Sequence, residues 1–381
     1  MKIVIACDSF KGSASAIQVA SALASGIREV WPAAEIACVP VADGGEGTID
    51  AFLYSLPGRR VTVPVAGPLG EPVQADYALL ENGTAVIEMA AASGLPLLAQ
   101  DALDPLRATT YGTGQLITAA MDAGCKRIVL GLGGSASNDG GAGMAQALGA
   151  RLLDADGAEL PRGGGALGRL ARIDTSALDP RLAEMPILAA CDVTNPLCGP
   201  EGASAVYGPQ KGATPTAICQ LDHNLAHYAS IGLACTGRDV AAHPGSGAAG
   251  GLGAGLLLFC NAALCSGITT VLDTLDFDRR LEGVNLVITG EGRLDGQSVQ
   301  GKVPVGVARR VKSQLNVPVV AIVGGVGPAA ERVYDCGIDA VFPIAPGPIT
   351  LAQAMEETQP LLRAAAERVA RLIHAVRPDL C

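Results

Sequence analysis

The stretch Thr289-Gly290-Glu291-Gly292-Arg293-Leu294-Asp295-Gly296-Gln297-Ser298, followed closely by Gly301-Lys302-Val303-Pro304, sets carboxylates, an amide and a lysine among glycines. Phosphoryl transfer asks for this mixture, because its chemistry is mostly positioning, with a metal holding charge and cations bearing on the transferred group. Glu291 or Asp295 would hold Mg2+, directly or through water. Asp295 and Lys302 are candidate catalytic residues, the lysine neutralising phosphate. A solvated, charged turn is the plainer alternative for the same residues.

A second stretch, 131–141, reads Gly-Leu-Gly-Gly-Ser-Ala-Ser-Asn-Asp-Gly-Gly between a strand-like run at 128–130 and a helical pattern at 142–148. Close-set glycines let several backbone N–H groups converge, and a helix N-terminus behind them adds positive potential. Gly133, Gly134, Ser135 and Asn138 are therefore candidates for holding a nucleotide's phosphates. The loop 245–253 offers Gly250 and Gly251 for another phosphate or the adenosine, although close helix packing explains its small residues equally well. Asp8-Ser9-Phe10-Lys11-Gly12 and Asp43-Gly44-Gly45-Glu46-Gly47-Thr48 also end strand-like runs. Carboxylates that accept hydrogen bonds from a diol, with a lysine that pairs with a carboxylate, would recognise a small hydroxy acid. Asp8, Lys11, Asp43 and Glu46 are the candidates, with helix capping by Asp8 or Ser13 as the competing reading. Asp192, after the apolar 186–190 and before Asn195-Pro196, would either take a substrate hydroxyl's proton or bind the metal. His223 and His227 stand at helical spacing and read as surface residues.

These segments share a position, since short β-branched runs at 3–5, 128–130, 286–288 and 319–323 are each followed by a loop and an amphipathic stretch. This is the grammar of βα units around a parallel sheet, in which ligands bind beyond the carboxyl ends of strands. Between 67 and 282 the pattern changes: Pro68-Leu69-Gly70-Glu71-Pro72 and Asn82-Gly83 suggest hairpins and mixed sheet. The expected fold is α/β, with a discontinuous doubly wound parallel-sheet domain (1–66 plus 283–381) and an inserted second α/β domain containing mixed sheet (67–282). The strand at 128–130 could belong to either. Residues 351–376 read as one packing helix.

Composition bounds the function classes. Hydrophobic residues make up 49% of the 381 and aromatics only 3%, so the core must be aliphatic, as in helix-covered sheets. A formal charge of −10 argues against a general nucleic-acid or anionic-membrane surface, so a phosphate ligand must be held locally. The 11 cysteines lack CxxC or His-rich spacing and read as reduced thiols of a cytoplasmic protein. Residues 240–272 carry no charge, but their glycines favour a buried helix over a membrane span.

Taken in order, Asp8 to Gly12, Asp43 to Thr48, Gly112-Thr113-Gly114, the glycine-rich 131–141, Asp192 to Pro196, Gln210-Lys211-Gly212 and 289–304 resemble the bacterial glycerate kinase family over essentially the whole chain. The resemblance implies a two-domain α/β enzyme that uses ATP and Mg2+ to phosphorylate D-glycerate at its 2-hydroxyl, or in some cases at its 3-hydroxyl. No Walker-type Gly-x-x-x-x-Gly-Lys-Ser/Thr is present, so ATP rests on the resemblance together with the phosphate-cradle argument. A nicotinamide-dependent hydroxy-acid oxidoreductase and a non-catalytic metabolite sensor remain as alternatives, and the chain could assemble with copies of itself.

Overall fold

The computed structural model describes residues 1–377, and the chain divides into two compact units. The first gathers Met1–Asp43, Asp50–Leu56 and the chain from Ile268 onward; the second holds Gly44–Ile49 and Pro57–Gly267.

A five-stranded parallel sheet organises the first unit, in the order Ala340–Pro343, Val319–Val323, Leu286–Gly290, Lys2–Cys7, Glu35–Cys38. Its central strands read as continuous apolar runs because both faces are covered. Ile3, Ile5, Ile288 and Ile322 share a core with Val19, Leu23 and Ile27 of the helix Ala16–Arg28, and with Leu362, Ala366 and Val369 of the helix Thr358–Val376. Ser15 starts the first of these helices with a capping box completed by Gln18, which satisfies amides the helix leaves open. The single helix expected over 351–376 is instead two, Leu351–Glu356 and Thr358–Val376. Pro360 has no N–H to give the Glu356 carbonyl, so a continuous helix would lose that bond, whereas in the first turn of a new helix the proline costs little.

The second unit is built on a six-stranded mixed sheet: Ala263–Cys265, Ile187–Ala190, Arg127–Gly131 and Thr84–Glu88 run parallel, and Pro72–Leu80 and Gly58–Ala66 complete it antiparallel. The fold is thus α/β with one parallel and one mixed sheet. Residues 58–66 belong with the mixed sheet rather than with the chain's start, because they pair along their length with Pro72–Leu80. The strand at 128–130 lies in this sheet as well. The uncharged stretch forms the buried helix Ala248–Phe259, and no helix of the described residues is long and apolar enough to cross a membrane.

Candidate active site

Parallel register brings the ends of the first unit's strands level. Cys7 pairs with Gly290, so Asp8 and Glu291 leave the sheet side by side, and the Asp8 N–H donates to the Gly290 carbonyl at 2.9 Å. Past the strand Glu35–Cys38 the chain keeps bonding to its neighbour, Val39 to Ile5 and Val41 to Cys7, which carries Asp43 to the same edge. A cavity of about 620 Å3 opens there, lined by the carboxylates of Asp8, Asp43 and Glu291 and the cations of Lys11, Arg293 and Lys302. Burial, then the Asp43 carboxylate, pushes Asp8 up to about 7, against the opposing pull of the Ser9 N–H and Lys11. Burial likewise raises Glu291, although the Ser298 hydroxyl donates to its Oε1 at 2.5 Å. Asp8 and Glu291 are buried carboxylates, hard oxygen donors of the kind Mg2+ takes, with Lys11 and Lys302 nearby as partial counter-charges. Among the described residues no group of three or more His, Cys, Asp or Glu is placed to hold a metal.

Asp295 is placed differently from the metal-ligand expectation. It does not line the cavity; its Oδ1 accepts the Gln297 N–H at 3.0 Å, and Arg293 and Lys302 approach it at 3.6 and 4.0 Å. The carboxylate therefore stands beside two cavity cations. Ser298 ties the turn together, accepting the Asp295 N–H at 3.1 Å while donating to Glu291.

In the second unit the glycine-rich loop follows the strand Arg127–Gly131 and is held from behind. Gly133 and Gly134 are exposed, whereas Ser135 and Asn138 are buried. Ser135 Oγ accepts from Lys211 Nζ at 2.7 Å, and Asn138 Nδ2 donates to Ser204 Oγ at 2.8 Å, so both side chains serve the scaffold. The helix behind the loop, Ala142–Ala147, does not offer its first-turn amides to a ligand as expected. The buried Asp139 carboxylate takes the Gly141 and Gly143 N–H groups at 3.1 and 3.2 Å, and it also accepts from the Thr110 N–H at 2.8 Å. Gly250 and Gly251 are buried too. Gly250 has φ +67° and its carbonyl accepts the Gly140 N–H at 3.0 Å, while a Cβ there would stand 2.0 Å from the Ser137 carbonyl oxygen. Close packing against the loop is the role the structure gives this pair.

Lys211 had no assigned role in the sequence reading, although it stands in Gln210-Lys211-Gly212. It is 2% exposed and donates to Ser135 Oγ and to the Ser137 carbonyl, both at 2.7 Å. Burial lowers its pKa to about 7, and Asp139 opposes the shift. The two hydrogen bonds of Lys211 give the glycine-rich turn a fixed shape, and its protonated form adds positive potential there. The available signal was a lysine before a glycine in Gln210-Lys211-Gly212, which a surface lysine shares.

The sequence pattern of the glycerate kinase family matches residues 3–374. This chain belongs to the glycerate kinase family. It is 50% identical over 374 residues to the glycerate kinase of Bacillus subtilis, covering 98% of each chain. It is 51% identical over 355 residues to the glycerate 2-kinase of Escherichia coli, covering 93% of each. A crystal structure described as a glycerate kinase 2 of Salmonella typhimurium superposes with a TM-score of 0.89 at 49% identity, covering 99% of both chains. Membership makes the chain a kinase and implies ATP as its cosubstrate.

Within this kinase Asp192 stands just beyond the strand Ile187–Ala190, where the sheet edge is level: Leu132 N–H donates to the Ala190 carbonyl and Cys191 N–H to the Cys265 carbonyl. Asp192 Oδ1 accepts the Gly267 N–H at 2.8 Å and the Ser266 hydroxyl at 3.4 Å. Asn195 is fixed on both sides, donating to the Glu201 carbonyl and accepting from the Tyr207 hydroxyl at 2.7 Å. Glu46 is grouped with the second unit and is exposed, while Asp8, Lys11 and Asp43 are grouped with the first. His227 Nε2 lies 2.6 Å from the Leu170 carbonyl oxygen, which gives it a structural partner.

Proposed function

We propose that the chain transfers the γ-phosphoryl group of ATP to the 2-hydroxyl of D-glycerate, in the cytoplasm and with Mg2+. The observation that carries the reading is the first unit's cavity, where Asp8, Asp43 and Glu291 stand against Lys11, Arg293 and Lys302. A hydroxy acid needs both signs: a cation for its carboxylate and hydrogen-bond acceptors for its hydroxyls. Lys11 pairs with the glycerate carboxylate, and Asp43 accepts from the hydroxyl that does not react. Either Asp8, with its pKa near neutrality, or Asp192 takes the proton of the attacking hydroxyl.

Mg2+, when bound, draws charge off the phosphoryl oxygens, and Glu291 is the residue that would hold it. Asp295 keeps Arg293 and Lys302 in place, and Lys302 bears on the transferred group. In the second unit, Gly133 and Gly134 present backbone to the nucleotide's phosphates, with Lys211 fixing the turn beneath them. Asp192 acts as a positioning residue that ties the strand's end to Gly267, or else as the base or metal ligand. Asn138, through its bond to Ser204, supports the glycine-rich loop, and Glu46 remains a substrate-binding candidate. Phosphorus NMR of the product made from ATP and D-glycerate tests the regiochemistry. A signal from 2-phosphoglycerate is expected, and 3-phosphoglycerate alone would overturn the assignment.

A further inference from the structure

A second cavity, of about 480 Å3, lies in the second unit and is lined by none of the residues assigned to glycerate or nucleotide. Arg107, Arg162 and Arg169 surround it. No carboxylate of the described residues forms an ion pair with any of the three, in a chain whose formal charge is −10. Three guanidinium groups lining one concavity, none of them paired with a carboxylate, give it a positive potential that attracts an anion. The grouping is built into the backbone. Gly165 N–H donates to the Leu106 carbonyl at 2.9 Å, and Gly163, at φ +98°, lets the chain lie where a Cβ would be 2.5 Å from that same oxygen. This contact sets Arg107 beside Arg162. The Arg162 guanidinium is already ordered, lying 3.2 Å from the centroid of the Tyr111 ring.

We propose that this cavity binds the phosphoryl group of a small metabolite. Its size suits a small molecule rather than a polymer, and the guanidinium forks match the oxygens of a dianion. The site also touches the glycine-rich loop: Thr109, on its wall, donates to Asp139 Oδ2 at 3.2 Å, and at Gly164 a Cβ would lie 2.1 Å from the Asn138 carbonyl oxygen. An occupant held by Arg107 and Arg162 therefore bears on the segment that supports Gly133 and Gly134.

Hydrogen–deuterium exchange of the whole chain, with inorganic phosphate as probe and saturating ADP present throughout, tests the site by a local readout. Phosphate is expected to slow exchange in 106–111 and 162–169. In the Arg162→Gln, Arg169→Gln double variant, and separately in Arg107→Gln, the phosphate needed for half-maximal protection should rise on the order of 10-fold or more. All three side chains are exposed, so the variants should match the wild type in Tm and in exchange without phosphate. Absence of protection in the wild-type chain with ADP present, or equal phosphate dependence in folded variants, would overturn the proposal.

Discussion

Asp8 concentrates the argument at the scale of single residues. Its folded pKa of about 7 lies above the unfolded value, so the stability it contributes is fully present below the unfolded pKa and is lost as pH rises through about 7. Asp8→Asn keeps an oxygen to accept the Ser9 N–H while removing the charge. The variant is expected to melt at the wild-type temperature near pH 4 and several degrees higher near pH 8, by on the order of a few kcal/mol, and to turn over poorly at either pH. A Tm difference that does not grow between these pH values would contradict the burial account.

Lys302→Ala removes a cation next to the transferred group, so kcat should fall on the order of 100-fold or more with the Tm little changed. Normal turnover in the folded variant would make Lys302 structural. Asp192→Asn separates three roles: a base's loss lowers kcat alone, a ligand's loss also raises the Mg2+ needed for half-maximal rate, and a positioning residue's loss shows mainly in Tm. Kinetics over a range of Mg2+ together with a melting curve assigns it. That Lys302 and Glu291 stand at a cavity was legible in the sequence, because both follow a recognisable strand end. Spacing alone does not tell a carboxylate that faces a cavity from one that faces two neighbouring cations, as Asp295 faces Arg293 and Lys302.

At the scale of elements, the glycine-rich loop shows what the sequence could not disclose. Its glycines and the helix after it were legible, but the ligands of that helix's amides were not. The Asp139 carboxylate takes the Gly143 amide from inside the loop and Thr110 Oγ1 takes that of Met144; Thr109 and Thr110, both bonded to Asp139, lie some thirty positions earlier in the chain. Gly250 could be read either as a nucleotide contact or as close packing, because a glycine that must take positive φ for packing looks the same in sequence as one that admits a ligand. Gly250→Ala should therefore act on stability, since the new Cβ would press on the Ser137 carbonyl at an unfavourable φ. A loss of roughly 2–4 kcal/mol is expected from denaturant unfolding. An unchanged unfolding midpoint with weakened ATP binding would instead return the residue to the nucleotide. The helix break at Glu357 was legible in principle from Pro360, but the apolar spacing runs on across it.

Across the whole molecule, the α/β character and the two kinds of sheet were readable, because β-branched runs and turn dipeptides report locally on strands and hairpins. The limits of the units were less so. Residues 58–66 belong with the mixed sheet through pairing with 72–80, and Gly44–Ile49 joins the same unit through contacts such as the Ile49 N–H on Glu88 Oε1, neither of which leaves a compositional mark. The arginine-lined cavity was invisible for the same reason, its cations being drawn from 107, 162 and 169. What joins all these parts is the claim that the chain phosphorylates D-glycerate, and coupled detection of ADP release by the purified chain tests it most directly. Release should require D-glycerate, ATP and Mg2+ together; ADP formation indifferent to D-glycerate, or none from a folded sample that binds ATP, would contradict the account.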